Sequence, residues 1–179
     1  MTKGKPKPRA AARGSAFGIR VSLVGHWWGI RDSSFPRRGV DVFRVTKEIH
    51  FCYGHRLLNY DGKCRHLHGH NGRAVVTLES PRLDSLGMVV DFSEIKRVLG
   101  RWIDDTLDHK MLLHQDDPII PELRRQGEPF VTLEVNPTAE NLARLIHDRA
   151  VEQGLPVVEV TLWETENSFA TYRPDVTTG

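Results

Sequence analysis

The chain has 179 residues and a mass of 20.4 kDa, with 39% hydrophobic and 27% charged residues, which is the size of one globular domain with a modest core. No stretch approaches the ~20 consecutive apolar residues of a membrane-spanning helix, and the mean hydropathy is −0.39. The chain has two cysteines, Cys52 and Cys64, too few for a disulfide-rich secreted scaffold. We therefore expect a soluble, cytoplasmic protein that does not bind membranes.

Basic residues are concentrated near the N-terminus. Residues 1–40 carry nine Lys or Arg and one acid, Asp32, whereas acids outnumber bases in the remainder. Because this excess lies in a Gly-, Pro- and Ala-rich segment without sustained periodicity, we do not expect nucleic acid as a partner. We interpret residues 1–41 as a basic extension, either disordered or the product of an over-long gene start, with a transit peptide as the alternative. Residues 42–179 form the predicted folded domain.

Two stretches of alternating hydrophobicity predict a long β-hairpin. Apolar residues alternate from Phe43 to Phe51 and again from Ala74 to Leu78, which is typical of strands with one buried face. The first strand is expected to end near Gly54, and a polar loop follows it.

Two helices are predicted next. Asp91 or Ser93 can cap the first, whose apolar residues recur at helical spacing through Ile103. Several prolines between Leu113 and Val135 predict a long, partly ordered connection. The second helix is expected to begin at Thr138.

Two further strands complete the pattern. Val158, Val160 and Leu162 alternate in the third strand, and Phe169 to Tyr172 forms the fourth. The order ββααββ predicts an α+β fold, in which an antiparallel four-stranded sheet carries two helices on one face.

Potential metal ligands are dense in the first hairpin: His55, Cys64, His66, His68 and His70. His68 and His70 project to the same side of a strand, and the hairpin brings His55 beside them. Three neutral nitrogens with a fourth position open are typical of a catalytic zinc site. Because His66 would share a strand face with His68 and His70, the strand period alone does not show which of these histidines bind the metal.

Cys64 leaves two interpretations of this site open. As a fourth ligand it would close a structural site, whereas as a free thiolate beside the metal it would act as a base. A third interpretation is an exposed His-rich loop that binds no metal.

Three more positions carry candidate chemistry. Asp108 and His109 follow the first helix, where they could relay a proton, or His109 could interact with the helix dipole. Glu164 lies on the same face of the third strand as the apolar residues before it. It is therefore either at the solvent-exposed end of the strand or in a pocket, where it would bind a ligand. Asp91 is better explained as a helix cap than as a catalyst.

Six motifs follow one another along the chain: FCYGHRL (Phe51–Leu57), CRHLHGH (Cys64–His70), VVDF (Val89–Phe92), LDH (Leu107–His109), NPTAEN (Asn136–Asn141) and WET (Trp163–Thr165). This ordered set resembles the 6-pyruvoyl-tetrahydropterin synthase and 6-carboxytetrahydropterin synthase family, and the likeness runs from about Phe43 to Pro174. The resemblance implies the tunnelling fold. It also implies a homo-oligomer that joins its sheets into a barrel, with active sites at subunit interfaces.

The resemblance assigns roles to the clustered residues. It implies that His55, His68 and His70 bind Zn²⁺ and that Cys64 is the catalytic base. In this assignment the thiolate stays off the metal, and His66 falls at a variable position between motifs.

The same resemblance implies roles for the isolated positions. Asp108 and His109 would be acid–base partners of Cys64, contributed across an interface. Glu164 would anchor the pterin by accepting hydrogen bonds from its 2-amino group and a ring N–H. Tyr53 departs from the small residues usual before the first zinc histidine, so it could narrow the pocket.

The family acts on 7,8-dihydroneopterin triphosphate. The compact spacing from Cys64 to His70 is more similar to the carboxy-forming branch, which makes 6-carboxytetrahydropterin with release of acetaldehyde and triphosphate, on the route to 7-deazaguanine nucleosides such as queuosine. One alternative is the pyruvoyl-forming branch, which eliminates triphosphate without cleaving the side chain. An alternative of another class is a non-enzymatic zinc-binding module with a basic arm for an acidic partner.

Overall fold

The computed structural model describes residues 41–175. The predicted extension 1–41 therefore lies, apart from Asp41, outside the described residues. In chain order the elements are β1 (Phe43–His55), β2 (His68–Ser80), a helix α1 in three continuous segments (Phe92–Ile95, Lys96–Gly100 and Arg101–Thr106), β3 (Lys110–His114), α2 (Ile120–Gln126), β4 (Phe130–Leu133), α3 (Ala139–Glu152), β5 (Val157–Thr165) and β6 (Ser168–Tyr172). None of these helices is both long and apolar enough to cross a membrane.

The hairpin of β1 and β2 is longer than its hydrophobic pattern predicts. The two strands pair antiparallel over their full length, from Phe43 opposite Ser80 to His55 opposite His68. The second strand begins at His68 rather than near Ala74, because histidines and a glycine occupy its first core-facing positions and interrupt the apolar alternation. The extra length places the histidines on the same framework as the core.

The predicted four-stranded sheet is corrected to six strands. The segment predicted as a long connection forms β3, α2 and β4, and β3 pairs with β1 while β4 pairs with β3, both in parallel. The strand order is β4-β3-β1-β2-β5-β6. Strands of four or five residues contain too few alternations to stand out from a proline-rich sequence. The four antiparallel strands and both long helices occur as predicted.

The core lies between the sheet and the helices α1 and α3. Its fully buried side chains include Ala74, Val76 and Leu78 from β2, Ile95, Leu99 and Ile103 from α1, Leu142, Ala143 and Ile146 from α3, and Val160 and Leu162 from β5. They follow the period of two in the strands and the helical period in the helices. Both helices therefore pack against one sheet face, as predicted.

Both long helices begin at the residues expected from the sequence. Asp91 Oδ1 accepts a hydrogen bond from the backbone N–H of Ser93 at 2.7 Å, and Thr138 Oγ1 accepts one from Asn141 at 3.4 Å. These bonds satisfy backbone donors that have no partner within the first helical turn. The cap at Thr138 also fixes where the chain before α3 approaches the hairpin.

Candidate active site

The core-facing side of the hairpin ends in three histidines. The register places His55 opposite His68 and Tyr53 opposite His70, so these side chains continue the face that is apolar further along both strands. The ligand nitrogens of His55, His68 and His70 all lie within 4.8 Å of one another. Nε2 of His55 and Nε2 of His70 are 3.1 Å apart. The predicted convergence of the three imidazoles is confirmed.

Backbone carbonyls orient two of the three rings. Nδ1 of His55 donates a hydrogen bond to the carbonyl of Pro137 at 2.7 Å, and Nδ1 of His68 donates one to the carbonyl of His66 at 2.8 Å. A neutral imidazole that donates through Nδ1 has a free electron pair on Nε2. His66 itself precedes β2 and its side chain is exposed, so it supports the site through its backbone only.

The charge state of His55 favours metal binding. Burial lowers the pKa of His55, and the neighbouring His68 and His70 lower it further, against the opposing effects of the Pro137 carbonyl and Glu164. With 3% of its surface exposed, His55 is therefore held in the neutral form. Three imidazole nitrogens that converge in this way fit a divalent transition-metal ion.

Glu164 extends the same face onto β5. Trp163 pairs with Arg73 of β2, and the next residue, Glu164, carries its carboxylate toward the histidines. Glu164 Oε1 lies 3.8 Å from Nε2 of His55 and accepts a hydrogen bond from the Tyr53 hydroxyl at 2.9 Å. The Glu164 side chain is 21% exposed, so it lies in a partly enclosed place rather than at a solvated strand end.

Two grooves meet at the start of β2. A groove of about 700 Å³ contains Glu164, and a second of about 630 Å³ contains Cys52 and His109. Residues 69–71 of β2 line both grooves. His70 therefore borders both grooves, and His68 borders the groove that also contains the second polar cluster described next.

A second polar cluster joins the end of α1 to β1. Asp108 Oδ1 accepts a hydrogen bond from the backbone N–H of Cys52 at 2.7 Å, and Asp108 Oδ2 accepts one from Nδ1 of His109 at 2.7 Å. The backbone N–H of His109 donates to the carbonyl of Cys52 at 2.6 Å. Burial acts to raise the pKa of Asp108, but the hydrogen bonds from Cys52 and His109, together with the charges of His109 and Lys110, outweigh it and lower the pKa below its ordinary value.

This arrangement favours the proton-relay interpretation of Asp108 and His109. The carboxylate holds one ring nitrogen of His109, and 78% of the His109 side chain is exposed, so the other nitrogen faces outward. A carboxylate that orients an imidazole is the usual support of a general acid or base.

Cys64 lies in neither cluster. It belongs to a short 3₁₀ turn, Lys63–Arg65, and its carbonyl accepts a hydrogen bond from the backbone N–H of Leu57 at 2.8 Å. The histidine cluster accordingly includes no thiol. Among residues 41–175, the thiol beside Asp108 and His109 belongs to Cys52, a residue that the sequence analysis did not single out.

The sequence analysis also missed the residues that hold the chain just after His55. Arg56 forms a two-armed ion pair with the buried Asp117. The side chain of Asn136 binds both the backbone N–H and the carbonyl of Leu58, at 2.8 and 3.0 Å. Asn136 lies in a motif noted above, but Asp117 precedes a proline and gave only a turn signal.

Comparisons with known proteins show which family the chain is similar to. The sequence profile of 6-pyruvoyl tetrahydropterin synthase matches residues 44–175. The 6-carboxy-5,6,7,8-tetrahydropterin synthase of Rickettsia typhi is 36% identical over 135 residues, which cover 72% of this chain and 98% of that protein. The enzyme of the same name from Haemophilus influenzae is 31% identical over 140 residues, with 74% and 99% of the two chains covered.

Solved structures share the fold. An uncharacterized protein from Wolinella succinogenes superposes with a TM-score of 0.63 at 30% identity and covers 75% of this chain and 99% of its own. The 6-pyruvoyl tetrahydropterin synthase of Plasmodium vivax superposes with a TM-score of 0.59 at 20% identity, over 75% of this chain and 98% of its own. The profile match spans most of the chain and includes both clusters, and the chain belongs to the 6-pyruvoyl tetrahydropterin synthase family.

Proposed function

We propose that this protein is a zinc-dependent 6-carboxy-5,6,7,8-tetrahydropterin synthase. It converts 7,8-dihydroneopterin triphosphate to 6-carboxytetrahydropterin, with release of acetaldehyde and triphosphate, in the cytoplasm. The relatives of this name that align over nearly their whole length support the activity. The observation that carries the proposal is the convergence of three imidazoles beside a partly buried carboxylate.

His55, His68 and His70 would hold the zinc through their free nitrogens. When bound, the ion supplies Lewis-acid polarisation of the side-chain oxygens of the substrate. The carbonyls of His66 and Pro137 keep two of the rings in the ligand orientation. A set of three nitrogens leaves a coordination position for the substrate.

Glu164 would bind the pterin ring. Its carboxylate can accept hydrogen bonds from both the 2-amino group and the adjacent ring N–H, a pair of donors on one edge of the ring. Glu164 lines a groove of about 700 Å³, a volume that accommodates a bicyclic ligand. Its position beside His55 would bring the substrate side chain to the metal.

Cys64 would remove a proton from the substrate side chain, and His109 would relay it. Asp108 holds the His109 ring through Nδ1, so the outward-facing nitrogen carries the exchangeable proton. Because Cys64 does not lie with Asp108 and His109 within one chain, we propose that two copies of the chain complete the site. The exposure of the His109 ring supports such a homo-oligomer.

A product assay tests the activity. The purified zinc-loaded protein is incubated with dihydroneopterin triphosphate, and acetaldehyde and triphosphate are measured. Both products are expected in equal amounts. Triphosphate without acetaldehyde would assign the pyruvoyl-forming activity instead, and the absence of both would leave a non-enzymatic zinc-binding module.

The two cysteines allow a matched test of the base. We expect Cys64→Ala to abolish turnover while the zinc content stays near one per subunit, and Cys52→Ala to retain turnover. The opposite pattern would assign the base to the thiol that lies beside His109 in the same chain. Loss of zinc from Cys64→Ala would show that Cys64 is a ligand.

A further inference from the structure

Tyr53 lies between the cluster of three histidines and the carboxylate of Glu164 on β5. Its ring is buried, with 3% of the residue exposed, and it packs against Phe51, His55 and His70 at centroid distances of 5.4, 5.3 and 5.8 Å. The hydroxyl at the end of this packed ring donates a hydrogen bond to Glu164 Oε1 at 2.9 Å. The hydrogen bond joins residues separated by 111 positions in the sequence.

Gly72 makes room for this link. The ring starts on β1 and its hydroxyl reaches β5, so it passes over β2 at Gly72. A Cβ atom at Gly72 would lie 2.9 Å from Cε1 of Tyr53 and 3.3 Å from Cε1 of Phe51, which is closer than van der Waals contact allows. The Tyr53 ring therefore occupies the space that a side chain at position 72 would need, and the two residues are sterically matched.

The position of Glu164 gives the link a consequence for ligand choice. Glu164 Oε1 is 3.8 Å from Nε2 of His55, so a rotation of the carboxylate toward the imidazoles would make it a fourth ligand for their metal. The hydrogen bond from Tyr53 competes for that oxygen and fixes the carboxylate plane. Within residues 41–175, Oε2 has no hydrogen-bond partner, so it stays available to a ligand in the groove.

We propose that Tyr53 is a positioning residue that holds Glu164 as an acceptor for the two-donor edge of a pterin and keeps it from closing the metal site. The inference rests on the proposed function. A carboxylate has about four lone pairs, so Oε1 can accept from Tyr53 and from the ring while Oε2 accepts the second ring donor. Tyr53 thereby sets specificity through Glu164 without itself touching the ligand.

Binding measurements test this role without turnover. Pterin and lumazine, which carries an oxo group in place of the 2-amino group, are titrated into the zinc-loaded protein and their fluorescence is followed. Wild type should bind pterin more tightly than lumazine, and Tyr53→Phe should reduce this preference about tenfold, because a charge-assisted contact is misaligned. Tyr60→Phe removes an exposed hydroxyl and serves as the control.

A double mutant separates positioning from packing. In a Glu164→Gln background, Tyr53→Phe should change the pterin preference no further, because the group it positions has already lost its charge. In Co²⁺-loaded protein, Tyr53→Phe should alter the visible absorption and tighten the metal, since the carboxylate is released toward it. The steady-state signature is a raised KM with little change in kcat.

The outcomes distinguish this inference from the proposed function. If wild type prefers pterin and Tyr53→Phe keeps that preference in full, the positioning role is wrong while the proposed function stands. If wild type does not discriminate pterin from lumazine, both fail. Tyr53→Phe keeps the ring that packs against Phe51, so a circular dichroism melt close to that of wild type is expected; a collapsed fold would assign Tyr53 to packing alone.

Discussion

His55 on β1 and Pro137 before α3 are joined by a 2.7 Å hydrogen bond from Nδ1 to the backbone carbonyl. The segment that precedes α3 therefore determines which ring nitrogen of His55 is free to bind a metal ion. The side chain of Asn136 fixes this segment by binding the backbone of Leu58, and Asn141 Nδ2 donates to the carbonyl of Asn136 at 2.9 Å. Helix capping and ligand orientation thus share one short stretch of chain.

Asn136→Ala should therefore weaken both the fold and the metal site. Loss of two partly buried hydrogen bonds to Leu58 should lower the free energy of unfolding by about 2 kcal/mol. Zinc affinity should fall about tenfold, because the carbonyl that orients His55 is no longer held. Urea denaturation and competition with a chelator measure the two effects. Asn167→Ala, in the exposed turn between β5 and β6, is the matched control and should change neither.

The histidines should differ sharply in their contribution to metal binding. His70→Ala removes one of three ligands and should reduce zinc affinity by more than about 100-fold, beyond the effect of losing an outer contact. His66→Ala should keep full zinc content, since His66 contributes a backbone carbonyl. The zinc content of both variants is measured by metal analysis after dialysis against a weak chelator. Equal zinc loss in the two variants would contradict the assignment of ligands.

The buried ion pair after His55 should make stability depend on acid pH. The hydrogen bonds from Arg56 hold the pKa of Asp117 below its ordinary value. The stabilisation is therefore complete above the unfolded pKa of about 3.9 and is lost as the pH falls through the lower folded pKa. Asp117→Asn should cost about 3 kcal/mol at neutral pH, and this difference should shrink in strong acid.

The adjacent residue provides the control for this experiment. Asp116 is 74% exposed at its side chain, whereas that of Asp117 is fully buried. Asp116→Asn should unfold like the wild type at every pH in guanidinium titrations. A constant difference between Asp117→Asn and wild type down to the most acidic pH would show that the carboxylate charge does not stabilise the fold.

Substitutions of His109 should affect the stability of the fold and the enzymatic activity differently. Its backbone has φ 54°, a left-handed conformation that asparagine adopts readily and alanine does not. His109→Asn should unfold at the same denaturant concentration as the wild type or a higher one, and His109→Ala should lose about 1 kcal/mol. Both variants should lose turnover, because neither carries a titratable ring. Equal stability of the two variants would show that the backbone conformation costs little.

The parts of the fold that the sequence predicts are those with long periodic patterns. The alternation from Phe43 to Phe51 predicts β1, and the apolar residues at helical spacing predict α1 and α3. The three histidines lie on the strand face that this alternation already identifies as buried. β3 and β4 are too short to carry a period. β3 pairs in parallel with the distant β1, where Tyr53 lies opposite Lys110, and β4 pairs in parallel with β3. Their placement depends on tertiary packing.

The candidate site divides in the same way. The spacing of His68 and His70 predicts a shared direction, since a strand has a fixed period. The partners of Asp108, by contrast, include the backbone of Cys52, 56 positions away. Only the parallel pairing of β3 with β1 brings that backbone within reach, and no local pattern encodes it.

The open sheet has a consequence for assembly. β4 and β6 are its outermost strands, and among residues 41–175 each pairs with a single neighbour. Outer strands present free N–H and C=O groups to any strand of suitable length, including the same strand of a nascent chain. Concentration during synthesis therefore matters for this protein, because the outer strands through which copies would join in the proposed homo-oligomer are also those through which unfinished chains would aggregate.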